Sequence, residues 1–151
     1  MGTNFYLFTK DKSVCEELKL NYSLTDVPDF GYEIHIAKTS CGWLPLFQAH
    51  SGIRSLQDLK KVYATGKFKI FDEYWKGYDW YKFSKRVIEW NGGVAGVAPL
   101  VPFIQDSSSE LYDANMPDHT PVSHFDYKDK SSAKYYFKDE EGYEFMELDF
   151  S

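Results

Sequence analysis

Residues 32–37 alternate between apolar and polar side chains, and this two-residue period is typical of a β-strand. Strict alternation gives the strand two faces, made up of Tyr32, Ile34 and Ile36 and of Glu33, His35 and Ala37. A second apolar segment, residues 43–49, contains Pro45, which favours an edge position or a bulge because proline cannot donate to a ladder. A short turn rich in small and polar residues separates the segments, so the pattern predicts two strands joined by a turn.

Other stretches extend this pattern into a complete domain. Residues 3–9 carry aromatic side chains on both faces and are predicted to form a central strand. Helical spacing follows Ser55 and Asp79, whose side chains can each cap a first turn. Further strands are predicted at 67–73, 133–137 and 143–150. The fold class is therefore α+β: a single domain, 1–151, with a mostly antiparallel sheet and two or three helices packed on one face.

Residues 94–121 interrupt this regular pattern. They include several prolines, a run of three serines and Gly96. Irregular segments of this length are uncommon in compact domains unless they cover a site or move. The stretch is predicted to be a long loop or lid-like insertion, with its apolar first half packed against the domain.

The charge balance limits the classes of partner. The 151 residues carry a formal net charge of −6, and Arg54 and Arg86 are the only arginines. A surface that neutralises the phosphates of a nucleic-acid duplex is therefore not expected. A small phosphorylated ligand needs only one or two cations, and an acidic exterior can also meet a basic protein. Aromatic residues make up 19% of the chain, which favours sheets and stacking surfaces.

Cys15 and Cys41 are too few for a disulfide framework and lack the spacing of a zinc site. They are interpreted as free thiols in a reducing compartment. The first residues lack the basic region and apolar run of a secretory signal, and no apolar stretch reaches the roughly 18 residues of a spanning helix. We expect a cytoplasmic protein with no membrane partner, no metal and no cofactor.

The turn after the residue 32–37 strand carries the side chains best suited to a ligand. A lysine, two hydroxyls and backbone N–H groups could hold a phosphate, and a tryptophan could stack on a base. The candidate ligand-binding residues are His35, Lys38, Thr39, Ser40, Gly42 and Trp43, with Asn4 and Tyr6 from the first strand. The full Walker spacing is missing, so ATP hydrolysis is not predicted. The alternative is a tight polar turn with a core tryptophan and a hydrogen-bonded histidine.

Catalytic alternatives find less support in the sequence. His119 and His124 could join His35 in a two-histidine phosphoesterase, but neither lies in the His-x-Thr/Ser pattern and no spacing matches a metal triad. The acidic pair at 72–73 and the acidic run at 139–141 are interpreted as a solvated strand end and a solvated turn. No catalytic residue is assigned.

Three stretches, residues 1–7, 35–43 and 141–145 with 150–151, resemble a family of small bacteriophage proteins. Its members open with a similar Gly-Thr-Asn-aromatic-Tyr start and carry a His-Ile-Gly-Lys-Ser-Ser-Ala-Gly-Trp motif. This chain departs from that motif at Ala37, Thr39 and Cys41. Many relatives also carry a cysteine-rich segment before the motif that is missing here, so no metal is inferred.

The resemblance implies a viral setting, in an infected bacterial host, and leaves the chemistry open. The leading hypothesis is an anti-defence protein that sequesters a nucleotide-derived signalling molecule, of the cyclic oligonucleotide or ADP-ribose type, without catalysis. The alternative is an inhibitor that binds a host defence enzyme through an acidic, aromatic surface. Phosphoesterase activity is a third possibility, and assembly of several copies is left open.

Overall fold

The computed structural model describes residues 2–90, 92, 121–127 and 133–150. Its strands are β1 (Gly2–Thr9), β2 (Ser23–Leu24), β3 (Tyr32–Ser40), β4 (Leu46–Gln48), β5 (Lys69–Asp72), β6 (Gly77–Tyr78), β7 (Tyr136–Lys138) and β8 (Glu144–Met146). Its helices are α1 (Lys12–Glu17), α2 (Leu56–Ala64), α3 (Trp80–Phe83) and α4 (His124–Tyr127). A π-helix, Ser84–Ile88, continues α3, and 3₁₀ turns occupy Pro28–Phe30 and Ala133–Tyr135.

The strands form one open sheet in the order β6-β5-β1-β3-β4-β8-β7, with β2 paired to β3 beside this path. Every pairing between these described strands is antiparallel except that of β4 with β8. The predicted α+β fold is therefore confirmed, and β1 is a central strand as its aromatic faces indicated. The predicted insertion, 94–121, lies outside the described residues apart from Pro121.

One hydrophobic core covers a single face of the sheet, here called the inner face. The sheet contributes large side chains that are fully buried: Phe5, Leu7, Ile34, Phe47, Ile70 and Phe145. Helices α1 and α2 and the α3–π segment pack their apolar side chains against them: Val14, Cys15, Leu56, Leu59, Val62, Phe83 and Val87. The opposite side of the sheet, the outer face, carries Asn4, Tyr6 and Phe8 of β1.

A β-bulge in β3 changes which side chains share a face. Phe5 pairs with Ala37 and Tyr6 pairs with His35, which leaves Ile36 as an extra residue. The predicted strict alternation is wrong here, because Ala37 faces the core whereas His35 remains on the outer face. Beyond the bulge Lys38 pairs with Asn4 on the outer face, and Thr39 points to the inner face.

The helix predicted to begin at Asp79 does so, since the Asp79 carboxylate accepts a hydrogen bond from the backbone N–H of Lys82 at 2.7 Å. It then widens into the π-helix, in which the N–H of Glu89 donates to the carbonyl of Ser84. The Ser84 hydroxyl also donates to the carbonyl of Trp80 at 2.8 Å. This helical run ends beside the turn that follows β3.

Candidate functional site

Four of the predicted ligand-binding residues lie on the outer face of β1 and β3: Asn4, Tyr6, His35 and Lys38. Their neighbourhood follows from the register, in which Tyr6 is opposite His35 and Asn4 is opposite Lys38. Lys38 is partly exposed. The ion pairs within the described residues are Arg54–Glu147 and Lys85–Glu89, so the Lys38 ammonium has no carboxylate partner there.

His35 is buried on this face, and each of its two ring nitrogens lies within hydrogen-bond distance of a side-chain oxygen. Its Nδ1 lies 2.9 Å from Gln48 Oε1. The Gln48 amide nitrogen donates to the carbonyls of Met146 and Leu148, so the amide oxygen must be the acceptor for His35. The proton on Nδ1 is thereby assigned.

The other nitrogen, His35 Nε2, lies 2.9 Å from Asn4 Oδ1, and two acceptors around the ring suit an imidazolium. Burial acts in the opposite direction and lowers the pKa of His35 to about 4. We take the ring as neutral near pH 7, because a buried cation without a carboxylate hydrogen-bonded to it is costly. The Asn4 amide nitrogen donates to Glu73 Oε1 at 3.3 Å, so the Asn4 amide oxygen is the atom that faces Nε2.

His50, which the sequence did not single out, holds three segments together. Its Nδ1 accepts a hydrogen bond from the backbone N–H of Asn21 at 2.9 Å, and its Nε2 donates to the carbonyl of His35 at 2.7 Å. These partners require the neutral ring, and burial lowers the pKa of His50 in agreement. His50 therefore fixes the backbone of β3 at the residue that carries the His35 ring.

We predict that unfolding becomes easier as the pH falls from about 6.5 towards 4. The pKa of His35 is about 4 in the folded state and about 6.5 in the unfolded chain. The contribution of the neutral ring to the free energy of unfolding is therefore complete above pH 6.5, and it is lost at lower pH as the unfolded chain takes up a proton. The loss is on the order of 3 kcal/mol for His35 alone. Urea unfolding of wild type and His35→Gln at several pH values measures it, with a shallower pH dependence expected for the variant. A His35 imidazole that titrates at or above pH 6.5 by NMR would contradict this assignment.

The turn after β3 is closed by its own protein partners. The N–H of Gly42 donates to the carbonyl of Gly92 at 2.7 Å, and the N–H of Trp43 donates to the carbonyl of Ser40. The indole N–H of buried Trp90 is shared between the carbonyls of Ser40 and Trp43, at 3.2 and 3.0 Å. Backbone donors that were predicted to hold a phosphate are thus engaged within the protein.

Thr39 also differs from its predicted role. Only 2% of Thr39 is exposed, and its hydroxyl accepts a hydrogen bond from Arg86 at 3.0 Å on the inner face. The guanidinium of Arg86 lies against the rings of Phe5 and Trp90, 5.1 and 4.8 Å from their centroids. Thr39 and Lys38 therefore face opposite sides of the sheet, and this arrangement disfavours the predicted joint grip on one phosphate. Strand alternation after the bulge separates them.

Trp43 is partly buried and stacks on the imidazole of His124, with the ring centroids 5.1 Å apart. His124 Nε2 donates to the carbonyl of Leu44 at 2.9 Å. The nearby Ser123 hydroxyl donates to Glu144, which also accepts the N–H of His124. Since the serine contacts the carboxylate and the histidine contacts a carbonyl, these three residues lack the geometry of a hydrolytic triad.

Comparison of the chain with protein-family models, with curated proteins and with solved structures found no match. The resemblance to phage proteins therefore depends on the sequence motifs alone. None of the described helices has the length and apolar character needed to cross a bilayer. Nowhere in the described ranges do three His, Cys, Asp or Glu side chains gather closely enough to hold a metal ion.

A small cleft of about 130 Å³ opens beside His35. Its lining includes three carboxylates, Glu33, Glu147 and Asp149, and the ring of Tyr6. Burial, then the charges of Glu33, Glu73 and Asp149, raise the pKa of the Tyr6 hydroxyl. The cleft is smaller than the roughly 300–1,000 Å³ of typical ligand sites, and its carboxylates repel a phosphate. A nucleotide is therefore disfavoured here.

The outer face next to this cleft carries a cluster of rings, here called the aromatic strip and made up of Tyr6, Phe8, Phe30, Phe71 and Trp75. Contacting ring centroids in the strip lie 4.7–6.4 Å apart. Trp75 covers the strip and remains 48% exposed, and the adjacent Tyr74 is 69% exposed. Trp75 and Tyr74 thus present aromatic surface to solvent, whereas Phe8 beneath Trp75 is buried.

Asp72 organises the hairpin that carries Trp75. Its carboxylate is buried and accepts hydrogen bonds from the N–H groups of Tyr74 and Lys76 and from the hydroxyl of Tyr78, at 2.8–2.9 Å. Trp75 adopts a left-handed backbone conformation, with φ of 67°, that bulky residues rarely occupy. The interpretation of Asp72 as a solvated strand end is wrong, because Asp72 is buried. The three donors compensate the cost of burying its carboxylate. The hairpin holds Trp75 in a conformation that a free chain would avoid.

Proposed function

We propose that this chain is a phage accessory protein that acts by binding, and that the aromatic strip is its contact surface for a basic host protein. The single observation that carries this proposal is the exposed Trp75, held at positive φ over a sheet face bordered by carboxylates. Tryptophan and tyrosine commonly anchor protein interfaces because they bury a large area at a small entropic cost.

Charge determines the kind of partner. Glu33, Glu73 and Asp149 act on the Tyr6 hydroxyl, so negative charge borders the strip at Tyr6, whereas Lys69 lies opposite Phe8 on the same face. The whole chain carries a net charge of −6. A partner surface with lysine and arginine around an apolar centre complements both features.

Binding without turnover agrees with how the potential catalytic groups are used. The ring nitrogens of His35 and His50 are held by protein partners. Cys15 is buried, and burial raises the pKa of its thiol to about 11, so it is a poor nucleophile. Of the described residues, His35 and His50 are therefore occupied by protein partners, and Cys15 is unreactive.

We predict that Trp75→Ala weakens capture of the host partner at least tenfold. The substitution removes the central ring of the contact surface, and hot-spot tryptophans typically contribute about 2 kcal/mol or more. Immobilised wild type and variant are incubated with host lysate, and the retained protein is identified and titrated. Tyr81→Ala is the matched control, because Tyr81 is 69% exposed but lies on α3, away from the strip.

Raising the salt concentration should weaken the captured complex, since the proposed contact pairs opposite charges. Equal retention of the partner by Trp75→Ala and Tyr81→Ala would refute the aromatic strip as the contact surface. The unfolding free energy of each variant is measured alongside, so that a folding defect is not mistaken for a binding defect.

Sequestration of a nucleotide-derived signal is the second candidate, favoured by the partly exposed Lys38, which forms no ion pair with another described residue. Lys38 and Ser40 would contact the phosphate, while Asn4 and Tyr6 are near on the same face. The experiment is incubation with cyclic oligonucleotides and ADP-ribose, followed by heat release. Recovery of an intact ligand from wild type but not from Lys38→Ala would favour this candidate over the protein partner.

A further inference from the structure

A second concave surface, here called the helix groove, lies between α2, the α3–π segment and the β7–β8 turn. Its volume is about 590 Å³, within the range of sites that take small molecules. The lining residues that matter here are Lys60, Lys61, Trp80, Ile88, Glu141 and Tyr143. None of them was singled out as a ligand contact from the sequence.

The walls of the groove are connected by hydrogen bonds, so its shape is formed before any ligand arrives. One carboxylate oxygen of Asp139 accepts from the N–H of Leu56, at the start of α2, at 2.9 Å. The other accepts from the N–H groups of Glu141 and Tyr143, at 3.0 and 2.9 Å. The β7–β8 turn is thereby fixed to α2.

Trp80 supplies a flat surface whose orientation is also fixed. Its ring centroid lies 5.8 Å from that of Tyr63 and 5.5 Å from that of Phe83. Burial, then the charges of Glu141, Asp139 and Glu89, raise the pKa of Tyr143, which therefore stays a neutral hydroxyl donor. The groove thus combines an indole, a phenol and the apolar side chain of Ile88.

The two lysines give the groove its charge preference. Lys60 and Lys61 are exposed on α2, and neither forms an ion pair with another described residue. Two ammonium groups, Lys60 and Lys61, and one carboxylate, Glu141, line the groove, and the carboxylates of Asp139 and Glu89 also act on Tyr143. The two exposed ammonium groups are the positive charges that would attract an anion.

We infer that the helix groove binds a small molecule made of a flat ring and an anionic group, the class to which nucleotides belong. The ring stacks on Trp80, the anion meets Lys60 and Lys61, and Tyr143 donates a hydrogen bond. This site is separate from the aromatic strip and from the turn after β3, so it does not depend on the proposed function.

The test uses AMP, cyclic AMP and ADP-ribose as probes, with adenosine and inorganic phosphate as controls that each lack one half of the ligand. Isothermal titration and ¹H–¹⁵N NMR shifts are measured on the full chain. We expect saturable binding of at least one probe, shifts in 56–64, 80–88 and 141–143, and at least tenfold weaker binding of both controls.

The double variant Lys60→Gln/Lys61→Gln should weaken the binding at least tenfold, and Trp80→Ala should do the same. The matched variant Lys67→Gln/Lys69→Gln removes two exposed lysines elsewhere and should leave the affinity unchanged. Absence of saturable binding by all three probes would refute the inference. Shifts confined to residues 35–43 would also refute the inference and would favour the turn after β3 as the ligand site. Failure to find a protein partner for the aromatic strip would leave the inference intact.

Discussion

Gly52→Ala should destabilise the protein by about 3 kcal/mol or more, because a methyl group has no space at this position. A Cβ built on Gly52 lies 1.7 Å from the carbonyl oxygen of Leu18, which belongs to the rigid end of α1. The N–H of Gly52 also donates to the carbonyl of Lys19 at 3.0 Å. The clash can be relieved only by moving backbone. Urea denaturation measures the loss.

The movement would also disturb the outer face. Gly52 lies in the turn that joins His50 to Ile53, and His50 holds the backbone of β3. The matched control is Gly66→Ala, where φ is +75° and no heavy atom lies within 4 Å of the added carbon. The control should lose only about 1 kcal/mol, from the left-handed backbone. A Gly52→Ala variant as stable as this control would contradict the packing of this turn against α1.

Trp90→Ala should cost about 3–5 kcal/mol and should open the turn after β3. Trp90 is 4% exposed, lies against the guanidinium of Arg86 and is the side-chain donor for two carbonyls of the turn. Trp90→Phe keeps most of the ring but removes the N–H, and it should cost about 1–3 kcal/mol. Amide hydrogen exchange at Gly42 and Trp43, together with urea denaturation, measures both effects.

Trp75→Phe is the control for Trp90→Phe, since Trp75 is half-exposed and keeps an aromatic ring in the variant. It should change stability by less than about 1 kcal/mol. If Trp90→Phe leaves the exchange of Gly42 and Trp43 at the wild-type rate, the indole does not close the turn. The turn donors would then remain candidates for a phosphate.

Local sequence patterns predicted the elements because each has a local cause. Ser55 caps α2 through a hydrogen bond from the N–H of Asp58 at 3.0 Å, and Asp79 caps α3, both as their residue types indicated. The alternation of 3–9 and 32–37 likewise indicated two strands, with the aromatic faces of 3–9 pointing to a central position. Strand lengths were less accurate, since β4 covers only Leu46–Gln48 of the predicted 43–49.

The faces of the candidate site could not be predicted to the same degree. The bulge at Ile36 depends on the pairing of β3 with β1, which are distant in sequence, and it decides that Ala37 turns inward while Lys38 faces out. The closure of the turn depends on Trp90, about fifty residues away from Ser40. Neither contact can be predicted from the spacing of residues that are close in sequence.

The burial of polar groups was also not predicted from the sequence. Asp72 and Asp139 were both interpreted as solvated; Asp72 is buried and Asp139 is partly buried, and both organise turns through several hydrogen bonds. A sequence shows that an aspartate favours turns, but whether it is buried depends on what packs over it. The aromatic strip could not be predicted for the same reason, because Phe8, Phe30 and Trp75 come into contact only when the sheet forms.

The central claim is that the aromatic strip, and not the turn after β3, contacts the partner. Amide hydrogen exchange of the protein, free and bound to the host protein that wild type retains, tests it most directly. We predict slower exchange in the bound state at residues 73–78, the hairpin that carries Trp75, and in β1 around Tyr6. Protection confined to residues 38–43, with the hairpin exchanging as in the free protein, would contradict the account.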